Sequence, residues 1–165
     1  MTKEESAVIA KTVAKGAIKY GMIRIDPNKK ITFDMDEWTE VSGDSGPYQQ
    51  YTYARIQSLL RKQGYDPNGP FDAAALTDSR EIELLVKTAQ FNDVVVAATQ
   101  QYRPNLLTAF LYDLAKVYNN WNNSTIIRDI EDPVVKNSKM HLTAMVAQVI
   151  KTGLGLLGIG VPSRM

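Results

Sequence analysis

The sequence predicts an all-α fold, a helical bundle in which several amphipathic helices share one core. Three observations support this prediction. Apolar residues recur at spacings of three and four along most of the 165 residues. Residues that commonly cap helices precede these segments, and glycine or proline follows several of them. The composition, 44% hydrophobic and 22% charged, is that of one globular domain with a substantial core.

The first part of the chain predicts one long helix and an irregular connection. Over residues 4–20, Ile9, Val13 and Ala17 repeat at the spacing of a single helix face. A turn signal at residues 26–28 then predicts a short irregular or hairpin excursion near residues 22–33. Residues 34–41 are compatible with a short helix.

The next helix has a well-marked start and stop. Pro47 suits the first helical turn, where its missing N–H is not needed, and Ser45 or Gly46 can cap it. We expect this helix to end near Lys62, with Gly64 as its stop. A polar loop over residues 65–76 follows.

The remaining sequence predicts four more helical segments. Asp78 or Ser79 can cap the first, residues 94–101 form the second, and Pro104 opens the third, whose apolar residues recur most regularly. Asparagine-rich residues 119–132 are expected to connect this segment to a last helix after Pro133. That helix runs toward residue 157, where Gly158 suits a left-handed cap.

The helix that begins at Pro47 carries two stripes. At about 100° per residue, Tyr48, Tyr51 and Arg55 fall within roughly 60° of one another. A second arc, about a quarter turn or more away, holds Gln49, Tyr53, Ile56 and Leu60. The second arc is expected to face the core. The first stripe has two interpretations, half-buried packing residues beside a solvated arginine or a surface for unstacked bases.

Charge is distributed unevenly although the net charge is only +1. Residues 34–44 contain five acidic and no basic side chains, whereas residues 46–65 contain Arg55, Arg61 and Lys62 and no acid. The charged residues after Asp132 are all basic. They are Lys136, Lys139, Lys151 and Arg164. The two basic faces either adjoin in the fold or are separately solvated.

Composition argues against several classes of function. The sequence has no cysteine and a single histidine, His141, so no metal site is expected. No catalytic constellation of residues is recognisable. The sequence also has no apolar signal segment or membrane span, so a cytoplasmic location and no membrane partner are expected.

Four segments, in order along the chain, resemble the C-terminal part of arginyl-tRNA synthetases. They are residues 15–20, residues 46–56 from Gly46-Pro47-Tyr48 onward, residues 111–115 with Leu114-Ala115, and residues 153–165, which end in Arg164-Met165. The resemblance extends over nearly the whole chain. It implies a single anticodon-binding domain of the DALR type over residues 1–165. Residues 1–45 would lead from a catalytic domain that precedes them, and residues 46–165 would form the helical bundle.

The resemblance also implies a partner and a set of contact residues. The partner is the anticodon loop of arginine tRNA, with no DNA partner. The implied contacts are Tyr48, Tyr51, Arg55, Tyr118 and Met165, with Trp121 and Arg164 as weaker candidates. Two residues depart from the family pattern, since Gln49 stands where an apolar residue is usual and Thr52 where alanine is frequent.

The parent enzyme implied by the resemblance is a class I arginine-tRNA ligase that uses ATP. Neither class I signature occurs in these residues, so this part of the chain is expected to be inactive alone and to need no cofactor. ATP and arginine would be bound by the catalytic domain of the same polypeptide. Two alternatives remain open at this stage. They are a domain of the same type from another synthetase, such as the glycyl β-subunit, and a stand-alone helical protein-interaction domain.

Overall fold

The computed structural model describes residues 2–165, so the domain boundary assigned to Met1 lies outside the described residues. Within them the chain forms seven α-helices and no strand, which confirms the all-α prediction. The helices are α1 (Lys3–Ile23), α2 (Met35–Thr39), α3 (Gly46–Gln63), α4 (Ser79–Ala89), α5 (Phe91–Gln100), α6 (Asn105–Ser124) and α7 (Pro133–Leu156). Short 3-10 turns lie at Ala73–Ala75 and Ile127–Asp129.

Local sequence explains where most helices begin and end. Ser45 caps α3, because its side-chain oxygen accepts a hydrogen bond from the backbone N–H of Tyr48 at 3.1 Å. Gly64 ends the same helix in the left-handed conformation, with φ of +66°. Asp78 caps α4 in a capping box with Glu81, and Asp132 caps α7 ahead of Pro133.

The core lies where α3, α6 and α7 meet. Helix α3 packs against α1 on one side and α7 on the other, and α6 packs against α4, α5 and α7. The largest fully buried side chains of this core include Tyr20, Ile56, Leu84, Leu111, Leu114, Tyr118, Trp121, Leu142, Ile150 and Leu154. These residues hold α3 rigidly, so the outward face of α3 is a fixed surface.

Helices α1 and α3 approach closely through two glycines. A Cβ atom on Gly46 would lie 2.4 Å from the backbone carbonyl oxygen of Gly16, and a Cβ atom on Gly16 would lie 2.4 Å from the side chain of Gln50. The close approach at Gly46 is to backbone, which cannot move aside as a side chain can, so only glycine permits the contact at this position. The contact sets the position of α1 against the N-terminal end of α3.

The structure confirms one local expectation and corrects another. Residues 24–34 are irregular, which is one of the two forms predicted near residues 22–33; Asp26 organises a turn by accepting a hydrogen bond from the backbone N–H of Asn28 at 2.9 Å. Helix α6 continues to Ser124, so the predicted connecting segment from residue 119 was wrong over its first six residues. The asparagines there are tolerated because a buried Trp121 anchors this end of the helix.

None of the helices in the described residues has an apolar stretch long enough to span a bilayer.

Candidate nucleic-acid interface

The outward face of α3 presents an aromatic ring next to a guanidinium group. Tyr51 is 41% exposed, and Arg55, one helical turn further on, is also exposed. The guanidinium carbon of Arg55 lies 5.7 Å from the centre of the Tyr51 ring. This geometry is a cation-π contact, which holds both groups in place while each keeps a surface open to solvent. Both residues belong to the stripe identified from the sequence.

The C-terminal residues return across this face of α3. Gly158 ends α7 with φ of +68°, and the backbone N–H of Ile159 donates to the carbonyl of Leu154 at 2.9 Å. Ile159 is buried. The side-chain Nε2 of Gln50, on α3, then donates to the carbonyl of Gly160 at 2.7 Å. These contacts direct the last residues of the chain back over α3.

A groove of about 360 Å³ forms where the returning chain meets α3. We call it the tail groove. Its lining residues are Tyr51, Ala54, Arg55, Ser58 and Arg61 from α3, together with Ser163, Arg164 and Met165. The structure therefore brings together four residues that the resemblance implied as contacts, Tyr51, Arg55, Arg164 and Met165, although more than a hundred residues separate the two pairs.

Tyr48, the remaining predicted contact on α3, does not line the tail groove and is half-buried. Its hydroxyl oxygen accepts a hydrogen bond from Nδ2 of Asn119 at 2.8 Å, and its ring meets that of Tyr112 edge-on, with centres 5.8 Å apart. The ring also packs against the core. Tyr48 thus combines a packing role with a partly accessible ring beside Tyr51.

Tyr118 and Trp121 lie in the core. Tyr118 is 1% exposed, and burial raises the pKa of its hydroxyl. It lines a second groove, of about 460 Å³, between α3 and the segment that follows α6. Trp121 is fully buried, and its Nε1 donates to Oε1 of Glu81 at 3.0 Å. The structure does not bring Trp121 to the tail groove.

Lys139 does not contribute to the basic surface, contrary to the grouping made from the sequence. Its ammonium group binds the carboxylate of Glu81, which is fully buried, and only 13% of the Lys139 side chain is exposed. The positive charge next to Tyr51 instead comes from Arg55, Arg61 and Arg164, all of which line the tail groove. The basic residues of α3 and the C-terminal Arg164 therefore adjoin, which is one of the two arrangements left open by the sequence.

Arg128 is a basic residue that no pattern in the sequence selects. It lies in the 3-10 turn after α6 and lines the second groove together with Arg55 and Lys62. Its relation to α3 depends on how the end of α6 packs, which no local pattern reports. A contact between residues more than 60 positions apart is a property of the tertiary structure alone.

The chain matches a protein-family model over most of its length. The model of the DALR anticodon binding domain matches residues 49–165 of the chain. The match includes α3 from its first turn, the core helices and the C-terminal residues that form the tail groove.

Curated relatives in several bacteria are named arginine-tRNA ligase. The arginine-tRNA ligase of Bdellovibrio bacteriovorus is 40% identical over 164 residues, which cover 99% of this chain and 28% of the relative. That of Bacteroides thetaiotaomicron is 40% identical over 168 residues, with 100% and 28% covered. The chain thus spans little more than a quarter of the length of these relatives.

Solved structures agree with these relatives. The arginyl-tRNA synthetase of Thermus thermophilus superposes with a TM-score of 0.87 at 31% identity, over 94% of this chain and 27% of that one. A structure described as a putative arginyl-tRNA synthetase from Campylobacter jejuni gives a TM-score of 0.82 at 21% identity, over 97% and 35% of the two chains, which supports the fold alone.

Proposed function

Because this chain belongs to the DALR anticodon-binding domain family, we propose that it binds the anticodon loop of arginine tRNA as the C-terminal part of an arginine-tRNA ligase. Relatives that carry the ligase name are about three and a half times as long as this chain. The ATP-dependent attachment of arginine, and the binding of ATP and arginine, would belong to a catalytic domain of the same polypeptide. The cytoplasmic location expected from the sequence is part of the same proposal.

The observation that carries this proposal is the composition of the tail groove. Tyr51 and Arg55 on α3 share it with Arg164 and Met165. Proteins read single-stranded RNA loops by stacking splayed bases on aromatic rings or guanidinium planes, and by hydrogen bonding to the exposed base edges. Each such stack contributes roughly 1–3 kcal/mol. The groove offers an aromatic face, several guanidinium groups and a flexible thioether within one small space.

The residues take different parts in this proposal. Tyr51 and Arg55 would stack on bases, while Arg164 and Met165 would close the groove over them. Tyr48 would contribute the accessible edge of its ring. Tyr118 lines the second groove but is 1% exposed, so it would shape the wall of that groove rather than stack on a base. Residues 2–45 would connect this surface to the catalytic domain.

Binding of the 165-residue chain to arginine tRNA, with the anticodon bases changed one at a time, tests the proposal. We expect at least one single-base change to weaken binding by about fivefold or more, because loss of a good base contact costs roughly 1–3 kcal/mol. A non-cognate tRNA with the same net charge is the control. Equal affinity for every tRNA would contradict anticodon recognition. It would favour non-specific RNA binding, and no binding at all would favour a protein-interaction domain.

A further inference from the structure

Three grooves adjoin around the C-terminal half of α3. The second groove lies on the α6 side of this helix and the tail groove lies at its centre. A third groove, of about 550 Å³, lies between α3 and α7 and includes Arg61, Gln148 and Lys151. Arg55 and Ser58 line both the second groove and the tail groove, and Arg61 lines both the tail groove and the third. The three grooves therefore form one continuous path across α3.

Six basic residues line this path, which we call the cationic track. In order from the α6 side to the α7 side they are Arg128, Lys62, Arg55, Arg164, Arg61 and Lys151. Within residues 2–165, no aspartate or glutamate lines any of the three grooves. Like charges concentrated along a concave surface raise the local potential and attract an extended anion.

The basic residues of the track are also poor in ion pairs. Arg128 pairs with its neighbour Asp129 at 2.9 Å, and the other five have no ion pair in the described part of the chain. Elsewhere, Arg24, Arg80, Arg103 and Lys139 each bind a carboxylate. Among the arginines, the three outside the track are paired, whereas Arg55, Arg61 and Arg164 keep an unpaired charge along the path that holds Tyr51 at its centre.

We propose that the cationic track binds the phosphate backbone of RNA on both sides of the bases held at Tyr51, with Arg128 and Lys62 at one end and Lys151 at the other. This inference rests on the proposed function, which places bases at Tyr51. Guanidinium groups suit phosphate because their planar N–H donors match two of its oxygens, and lysine adds a point charge. An aromatic ring in the middle of a line of cations is suited to a nucleic acid, whose bases and phosphates alternate, rather than to an acidic peptide.

The salt dependence of RNA binding tests the track. The affinity of the 165-residue chain for arginine tRNA is measured at several salt concentrations, for the unchanged chain and for Lys62→Gln, Arg128→Gln and Lys151→Gln. Each phosphate contact that is lost should reduce the slope of log K against log salt by about 0.7, because fewer counterions are released. The Lys151→Gln and Arg128→Gln double variant should lose about twice that amount.

A matched control removes the same charge outside the track. Lys11 is exposed on α1 and lines none of the three grooves, so Lys11→Gln should leave the slope unchanged. The track variants should weaken binding to cognate and base-changed tRNAs by the same factor, because phosphate contacts carry no base information.

Two results would overturn the inference while leaving the proposed function intact. One is that the chain discriminates between anticodons while the track variants show the same slope of log K against log salt as Lys11→Gln. The other is that poly-glutamate competes with tRNA for the chain as strongly as an RNA of equal charge does. In contrast, absence of discrimination in the unchanged chain, with reduced slopes in the track variants, would support the track and contradict anticodon recognition.

Discussion

Gln49 and Gln50 are neighbouring residues of α3 that are both fully buried but differ in their hydrogen bonds. Nε2 of Gln50 donates to the carbonyls of Gly160 at 2.7 Å and Thr12 at 3.2 Å, and so links α3 to α1 and to the C-terminal residues. Neither side-chain polar atom of Gln49 has a hydrogen-bond partner within residues 2–165. A buried amide without partners costs free energy, whereas a bonded one can stabilise the fold.

The two glutamines therefore predict opposite effects of the same substitution. Gln49→Met should raise the free energy of unfolding by about 1 kcal/mol, because methionine has nearly the same shape and buries no unpaired polar group. Gln50→Met should lower it by about 1–3 kcal/mol, since two carbonyls lose their donor. Urea unfolding of the two variants measures both values. Destabilisation by Gln49→Met to the same extent as by Gln50→Met would show that the Gln49 amide is satisfied.

Tyr48 and Tyr51 are three residues apart on α3, yet the structure predicts different consequences of replacing them. Tyr51→Ala should weaken RNA binding by roughly 1–3 kcal/mol with little effect on the melting temperature, because its ring is exposed. Tyr48→Ala should also destabilise the fold by about 1–3 kcal/mol, because it loses core packing and the hydrogen bond from Asn119.

Thermal unfolding and tRNA binding, measured for both variants, separate the two roles. Tyr48→Phe is the control, since it removes only the hydroxyl and should cost about 1 kcal/mol of stability. A melting temperature lowered equally by Tyr51→Ala and Tyr48→Ala would place Tyr51 among the packing residues.

At the scale of elements, a buried cluster joins three helices. The carboxylate of Glu81, on α4, accepts hydrogen bonds from Nε1 of Trp121 on α6 and from the ammonium group of Lys139 on α7. Its other oxygen accepts from the backbone N–H of Asp78 at 3.1 Å. Each donor satisfies a buried charge that would otherwise be costly. The cluster explains why Trp121 and Lys139 are both withdrawn from the tail groove.

Removal of one partner of this cluster should be more damaging than removal of both. Lys139→Met should lower the free energy of unfolding by about 3–5 kcal/mol, because it leaves the Glu81 carboxylate buried without a counter-charge. The Glu81→Leu and Lys139→Met double variant should recover much of that loss, since no charge remains buried. Urea unfolding of the single and double variants gives the coupling free energy. Additive effects of the two substitutions would show that the ion pair contributes no coupling.

At the scale of the whole molecule, several titrating groups predict how stability depends on pH. Burial raises the pKa of Tyr20 and of Tyr118 above the ordinary value of 10, and the negative charge of Asp44 raises that of Tyr20 further. Hydrogen bonds from the side chain and backbone of Arg80 lower the pKa of Asp78 from 3.8 to about 2. The folded state therefore holds protons longer at high pH and releases them more readily at low pH.

We therefore predict that the free energy of unfolding is highest over a middle range of pH and falls at both acid and alkaline pH. Above pH 10 the tyrosines ionise in the unfolded chain but not in the folded one, so stability should fall as pH rises. Between about pH 4 and 2 the unfolded chain takes up a proton at Asp78 before the folded one does, so stability should fall as pH drops. Urea midpoints from pH 2 to 11 measure both limbs.

Two variants test whether the tyrosines cause the alkaline loss of stability and Asp78 the acid loss. Tyr20→Phe should flatten the alkaline limb, and Asp78→Asn, which keeps a side-chain oxygen to cap α4, should flatten the acid limb. A urea midpoint that stays constant between pH 7 and 11 would contradict the raised tyrosine pKa values.

The sequence by itself determined where α3 begins and ends, that the fold is all-α, and that Tyr51 and Arg55 share one stripe of α3. These features depend on caps, turn residues and helical periodicity. Such interactions join residues within about four positions of each other, so a local pattern reports them.

Only the tertiary structure decided which residues complete the surface around Tyr51. It buried Trp121 and Lys139 against Glu81, 40 and 58 positions away, and it half-buried Tyr48. It also placed Arg164 and Met165 beside Tyr51, and Arg128 beside Lys62. The physical reason is that burial and groove formation depend on how distant helices pack. Helical periodicity shows which residues share a face, but it does not show what that face meets.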